Sequence, residues 1–183
     1  MIYLIGGAPR AGKSILGQRV AANLKIGWVS TDLLFTILGM TNVEGIIREW
    51  DASPEAITTN AEWFFPYLER FIWGVSSLAE DYLIEGVGFL PIQVKQLSVH
   101  YQLKVVFLGC SKMTLEQFDQ FPGRSRGYSG LPEGQRRQYA KDVPSWSEFI
   151  RQECESFGYP YIDTVIDFPQ QLANAESILT TGS

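Results

Sequence analysis

The sequence predicts an α/β fold with a mainly parallel sheet, and three observations predict it. Short apolar runs alternate with longer amphipathic stretches along the whole chain, as helices laid over a central sheet require. Ile2–Ile5 is apolar throughout and Leu103–Leu108 almost entirely so, the mark of strands covered on both faces. The first run, Ile2–Ile5, leads straight into Gly7-Ala8-Pro9-Arg10-Ala11-Gly12-Lys13-Ser14 and then a helical pattern. Strand, glycine-bearing loop and helix therefore follow in that order.

Each element has its own local reason. In Ser14–Leu24 the residues Leu16, Val20 and Leu24 recur at i, i+4 and i+8, giving a helix with one buried stripe that Lys25 and Gly27 end. Gly27–Ser30 is a short second strand, and Ser30 or Thr31 caps a helix through Leu38 that Gly39 stops. Ser53-Pro54 opens a helix with a cap and a first-turn proline. Its pattern runs to about Ala79, and Pro66 is expected to kink it or divide it in two. Asp81–Glu85 is the third strand, closed by Gly86 and Gly88, and Pro91 opens a short helix. Leu103–Leu108 is the fourth strand, followed by a helix near Lys112–Gln120. A turn-rich basic loop from Phe121 to Pro132 comes next, then a helix from about Glu133 to Phe157. Tyr159–Asp163 is the fifth strand, Pro169–Leu179 the last helix, and residues 180–183 are expected to fray.

A chain of 183 residues fits one domain, 1–183, with a substantial core. With 45% hydrophobic and 19% charged residues its composition is that of a globular protein, and the net charge of −5 argues against a general nucleic-acid binder. Cys110 and Cys154 suffice for neither a disulfide framework nor a metal cluster and read as reduced thiols. The N-terminal apolar run is too short for a signal peptide, and no stretch approaches the roughly 20 apolar residues that cross a bilayer. The expectation is a soluble, cytoplasmic protein.

The spacing G-x-x-x-x-G-K-S solves one physical problem, holding a polyphosphate beside a divalent cation. Gly7 and Gly12 let the backbone bend so that N–H groups across Ala8, Pro9, Arg10 and Ala11 form a nest for phosphate oxygens; proline alone donates none. The next helix adds its positive end. Lys13 reaches the β- and γ-phosphates, and the Ser14 hydroxyl is placed to ligate Mg²⁺. The loop implies a nucleoside triphosphate, and no Asn-Lys-x-Asp guanine signature follows it, which favours ATP.

With Ser30-Thr31-Asp32 after the second strand, Ile84-Glu85-Gly86-Val87 after the third, the basic loop and Tyr161-Ile162-Asp163-Thr164, the chain resembles the P-loop kinases. That group includes adenylate and shikimate kinases, chloramphenicol phosphotransferase, zeta toxins and 2-phosphoglycerate kinase. The resemblance implies a three-layer sandwich, sheet order 2-3-1-4-5, a lid over about 120–137 and an acceptor segment over about 31–80. It implies Mg·ATP as donor and a small-molecule hydroxyl as acceptor, with ligands across the carboxyl ends of the strands.

Within that frame Asp32 is the carboxylate that orients the acceptor hydroxyl and takes its proton. Glu85 belongs to the Mg²⁺ shell or positions the acceptor, and Gly86 leaves room for it. The lid arginines, Arg124, Arg126, Arg136 and Arg137, stabilise the transferring group, Arg126 and Arg136 being favoured. Arg10 is expected to point to solvent, without a catalytic role. Thr164 falls where such kinases contact adenine, mainly through backbone. Arg48 is the candidate for an acidic acceptor group, and Trp50 or Trp63 for stacking on a ring, beside Phe64, Phe65, Tyr67, Phe71 and Trp73, most of which read as core. His100 reads as a surface residue.

Two departures limit the substrate. Glu85-Gly86-Val87 resembles the Glu-Gly-Val of 2-phosphoglycerate kinase, but Gly88 stands where that family has a histidine. The Asp-x-x-Arg of nucleoside-monophosphate kinases is missing, since Leu33-Leu34-Phe35 follows Asp32. A small alcohol is therefore favoured over a nucleotide. Two other readings stay open: a nucleotide-sugar or antibiotic kinase, and a module that signals its nucleotide state to a partner protein.

Overall fold

A computed structural model of the chain describes residues 1–39, 51–120 and 130–181. Its elements, in chain order, are β1 (Ile2–Gly7), α1 (Lys13–Leu24), β2 (Gly27–Ser30), α2 (Thr31–Gly39), α3 (Pro54–Ser77), β3 (Tyr82–Glu85), α4 (Pro91–Leu97), β4 (Leu103–Gly109), α5 (Leu115–Gln120), α6 (Glu133–Phe157), β5 (Tyr161–Asp163) and α7 (Phe168–Thr180). The strands form one parallel sheet in the order β2-β3-β1-β4-β5, as expected. Its register sets Ile5 beside Glu85 and Ser30 beside Glu85, so β2 and β3 finish level while β1 runs on to Gly7.

The two faces of the sheet bury separate cores because neighbouring strand residues point to opposite sides. Leu4, Ile84 and Phe107 pack under Phe64, Leu68, Ile72 and Ile150 of α3 and α6. Tyr3, Ile5, Leu83 and Val106 pack under Leu16, Val20, Leu172 and Leu179 of α1 and α7. Each fully buried aliphatic side chain contributes about 1.5–3 kcal/mol, which ties the sheet to both layers.

Pro66 does not divide its helix. α3 is continuous across it, with Pro66 exposed on the outer side. The opposite face carries Ile57, Ala61, Phe64, Leu68, Ile72 and Val75, buried at helical spacing. That stripe outweighs the roughly 3 kcal/mol cost of an interior proline. The cap of α2 falls to Ser30, whose hydroxyl accepts from Asp32 N at 3.4 Å. The cap of α3 is Ser53, accepting from Ala56 N at 3.3 Å. Gln93 closes the start of α4 by accepting the Leu90 N–H at 2.8 Å. α7 continues one residue past the expected Leu179, so Thr180 is helical. Among the described residues no helix is long and apolar enough to cross a membrane.

Candidate active site

The loop after β1 takes three left-handed backbone conformations in a short run: Gly7 (φ 125°), Arg10 (φ 66°) and Gly12 (φ 88°). Turns of this kind curl successive N–H groups inward. Gly7 is required twice over, by its φ and because a Cβ there would lie 1.9 Å from the Leu108 carbonyl oxygen. Gly12 occupies the N-cap of α1 with no side chain bonded across it. The first N–H groups of α1 are thus not covered by a cap, an arrangement suited to anions.

Lys13 begins α1 and is buried, folded back so that Nζ donates to the Ala8 carbonyl at 2.6 Å. Burial lowers its pKa; the Glu85 and Asp32 carboxylates act in the opposite direction. This holds the amino group close to the loop N–H groups, where the sequence leads one to expect phosphate. Beside it, the Ser14 hydroxyl donates to Glu85 Oε1 at 2.9 Å. Glu85 is only 1% exposed. The two predicted metal-shell residues, 71 positions apart, therefore meet at the crevice between β1 and β3.

The donor set at that point is oxygen only, one hydroxyl and one carboxylate, which fits Mg²⁺, an ion that combines one or two protein oxygens with phosphates and water. Among the described residues no group of three or more His, Cys, Asp or Glu side chains offers an alternative metal centre. The cradle of the loop likewise fits a polyphosphate.

Gly86 follows Glu85 with φ 154°, and a Cβ there would lie 1.8 Å from Thr31 Oγ1. Gly86 thus lets β3 pass close against the first turn of α2 rather than opening space. Thr31 is fully buried, and its hydroxyl has no hydrogen-bond partner among the described residues. Asp32, next to it, is exposed. Its influence on Lys13 places it within electrostatic reach of the loop.

The other expected site residues divide. Arg10 does not point to solvent: it is half-buried, with its guanidinium over the Phe118 ring of α5, 4.1 Å from the centroid. A cation over an aromatic face gains about 0.5–2 kcal/mol, so the loop is braced against the helix that precedes the basic segment. Arg136 pairs with Asp119 at 3.0 Å and donates to the Leu131 carbonyl at 3.1 Å; Arg137 pairs with Glu133 at 2.5 Å. In this arrangement both have local carboxylate partners. Arg48, Trp50, Arg124 and Arg126 lie outside the described residues.

Thr164 is buried, and both its N–H and its hydroxyl donate to the Gly109 carbonyl at 2.9 Å. Its side chain ties β4 to the turn after β5. Phe64 is core, whereas Trp63 and Tyr67 are half-buried; Trp63 stacks on Phe35, and Tyr67 meets Trp63 at a tilt. Trp73 is 50% exposed under the Arg70 guanidinium. His100 is exposed, in line with the sequence. The Arg10 contact and the Thr31 hydroxyl have no signal in the sequence, since both depend on which elements meet.

No protein-family model matches the chain, and comparison with curated proteins returns no match. Solved structures do match it from end to end. A gluconokinase from Sinorhizobium meliloti 1021 aligns over 97% of this chain and 90% of its own, with TM-score 0.52 and 15% identity. Shikimate kinase from Aquifex aeolicus aligns over 98% and 96%, with TM-score 0.53 and 13% identity. An uncharacterized protein from Eubacterium ventriosum aligns over 99% of both chains, with TM-score 0.53 and 16% identity. At such identities the likeness is one of fold. Sheet order, phosphate loop and these neighbours agree: the chain has the fold of the P-loop small-molecule kinases.

Proposed function

We propose that the protein is an ATP-dependent phosphotransferase that moves the γ-phosphoryl group to a hydroxyl of a small molecule. The observation that carries this reading is the Ser14–Glu85 hydrogen bond beside the buried Lys13, with the Asp32 carboxylate within electrostatic range. A triphosphate site alone needs no carboxylate on its far side; a transfer reaction does.

In this reading the loop N–H groups and Lys13 hold the phosphates, and Ser14 and Glu85 hold Mg²⁺, which when bound neutralises charge on the phosphate oxygens. Asp32 accepts a hydrogen bond from the acceptor hydroxyl and aims its oxygen at the γ-phosphorus. A new P–O bond forms there as the bond to the β-phosphate oxygen breaks. ADP leaves with that electron pair, and the hydroxyl proton passes to Asp32. The chain contributes positioning and fixed charge, which together supply most of the catalysis of phosphoryl transfer. Arg126 or Arg136 acts on the transferring group in the closed state. For Arg136 this requires exchange of Asp119 for phosphate.

Incubation with Mg·ATP and a library of hydroxyl compounds, read by mass spectrometry, tests the proposal. The expected product is an acceptor heavier by one phosphoryl group, with ADP formed in equal amount. ADP and inorganic phosphate appearing at the same rate with and without every acceptor would refute transfer.

A further inference from the structure

Trp28 stands two residues before the end of β2, and the sheet sets it beside the candidate metal site. In the parallel register Trp28 lies next to Leu83, and Ser30 next to Glu85. Residues two apart on a strand share a face. Trp28 and Glu85 therefore project from the same side of the sheet, as diagonal neighbours on adjacent strands. That side is the one covered by α1, where Trp28 packs against the core of Leu83, Leu16 and Val20.

The helix above them leaves a hollow at the matching place. Gly17 follows Ser14 by three residues in α1, so the two lie on one face of the helix. A Cβ at Gly17 would stand 2.7 Å from Trp28 Nε1, 3.2 Å from Trp28 Cδ1 and 3.3 Å from Glu85 Cγ. The space that a side chain would take is thus filled by the indole edge and the stem of Glu85 together.

Two contacts then define the Glu85 side chain. Its tip is held by Ser14, whose hydroxyl donates to Oε1 at 2.9 Å. Its stem shares the hollow under Gly17 with Trp28. β2 is the outermost strand on this side of the sheet, and Trp28 is half-buried there, whereas Glu85 is 1% exposed. The indole is therefore a wall between the carboxylate and the sheet edge. A metal-binding carboxylate keeps one orientation when rigid neighbours block the others.

We infer that Trp28 is a positioning residue for Glu85: packed under Gly17, its indole holds the carboxylate against Ser14 and so sets the affinity of the site for Mg²⁺. This rests on the phosphotransferase reading for the metal role of Ser14 and Glu85. Trp28 acts through the Glu85 stem alone and needs no contact with phosphate or metal.

Calorimetry with a non-hydrolysable ATP analogue, in Mg²⁺ and in EDTA, separates the metal from the rest of the site. In this reading the loop N–H groups and Lys13 hold the phosphates under both conditions, whereas Glu85 acts only through the metal. The ratio of the two affinities is the readout. In Trp28→Ala the ratio is expected to fall by about 10-fold or more, with the affinity in EDTA unchanged within about twofold. Trp28→Phe, which keeps a flat ring in the hollow, is expected to restore most of the ratio. Gly17→Ala reaches the same contact from the helix and carries the test if Trp28→Ala does not fold. Its methyl group displaces the indole and the Glu85 stem, so the ratio is expected to fall several-fold even though alanine favours the helix.

An unchanged ratio in Trp28→Ala and Gly17→Ala, with only the melting temperature altered, overturns the inference and leaves Trp28 a packing residue. Equal loss of affinity in Mg²⁺ and in EDTA overturns it too, because Trp28 then shapes the phosphate loop rather than Glu85. Both results leave Mg²⁺-dependent binding by the natural chain, and the phosphotransferase reading, intact. A natural chain that binds the analogue no better with Mg²⁺ than without it refutes the metal role of Ser14 and Glu85, and the inference falls with that reading.

Discussion

In the proposed reading the donor and acceptor sides of the crevice are built on the same sheet edge and finished differently. On the donor side the key polar side chains have partners within the chain: Lys13 on the Ala8 carbonyl, Ser14 on Glu85, Arg10 over Phe118. On the acceptor side Asp32 is exposed, Thr31 keeps a buried hydroxyl without a partner among the described residues, and Leu33 and Ile37 face solvent. The donor geometry is set before any ligand arrives, as electrostatic preorganisation demands. The acceptor side leaves polar and apolar groups whose complement must come from outside.

The largest expected effect falls on the donor side. Lys13→Met removes the charge directed at the phosphates and is expected to reduce nucleotide-dependent turnover by about 10²–10³-fold. The same change is expected to leave the free protein at least as stable, because burial already disfavours the Lys13 ammonium. Linkage gives a second readout. The folded pKa lies below the ordinary 10.5, so in the window just under 10.5 the unfolded chain binds a proton at Lys13 that the folded chain has lost. Stability from this group therefore rises with pH across that window. Urea denaturation as a function of pH should show that rise in the natural chain and lose it in Lys13→Met.

On the acceptor side Asp32→Asn separates the two halves. Nucleotide affinity should remain close to that of the natural chain, while phosphoryl transfer falls by about 10²–10⁴-fold. Calorimetry with Mg·ATP and product formation by mass spectrometry measure the two effects. Equal loss in both would make Asp32 a donor-side residue and erase the division.

What is legible in the sequence follows the same divide. The loop from Gly7 to Ser14 is a local motif, and its conformation depends on residues that are neighbours in the chain, so it reads directly. The strand order comes from the resemblance that the motifs support, since no local pattern states which strands pair. Glu85 and Ser14 share a role on sequence grounds, but their direct hydrogen bond depends on β1 and β3 lying side by side with Ile5 opposite Glu85. For Arg10 the sequence misleads, because an arginine in a loop is usually solvated; its ring partner is more than a hundred residues away, on α5. For Pro66 it misleads because propensity is local, whereas the buried stripe of α3 is tertiary.

Backbone contact between the halves is tested at Gly86. A methyl group there would meet Thr31 Oγ1 at 1.8 Å on a backbone with φ 154°. Gly86→Ala is expected to destabilise the fold by about 1–3 kcal/mol. Gly74, within α3, has no atom within 4 Å of an added Cβ. Gly74→Ala is therefore expected to stabilise by about 0.4–1 kcal/mol. Opposite signs from one chemical change, read from urea midpoints, would show that the close approach of α2 to β3 is what Gly86 permits.

The smallest effect is the most direct probe of the unfinished side. Thr31 is fully buried, its hydroxyl has no partner among the described residues, and the cap of α2 comes from Ser30 instead. A buried hydroxyl left unpaired costs about 1–3 kcal/mol, whereas a methyl of similar shape carries no such penalty. Thr31→Val keeps the β-branch and the contact with Gly86 while removing that penalty. It is expected to raise the urea midpoint, by up to about 1 kcal/mol at unchanged denaturant slope. Ser30→Ala, one residue earlier, is expected to lower it by about 0.5–2 kcal/mol through loss of the cap. A fall in both variants would mean that the Thr31 hydroxyl has a partner in solution. The acceptor side would then be as internally paired as the donor side, and the contrast between them would rest on the exposed apolar face of α2 alone.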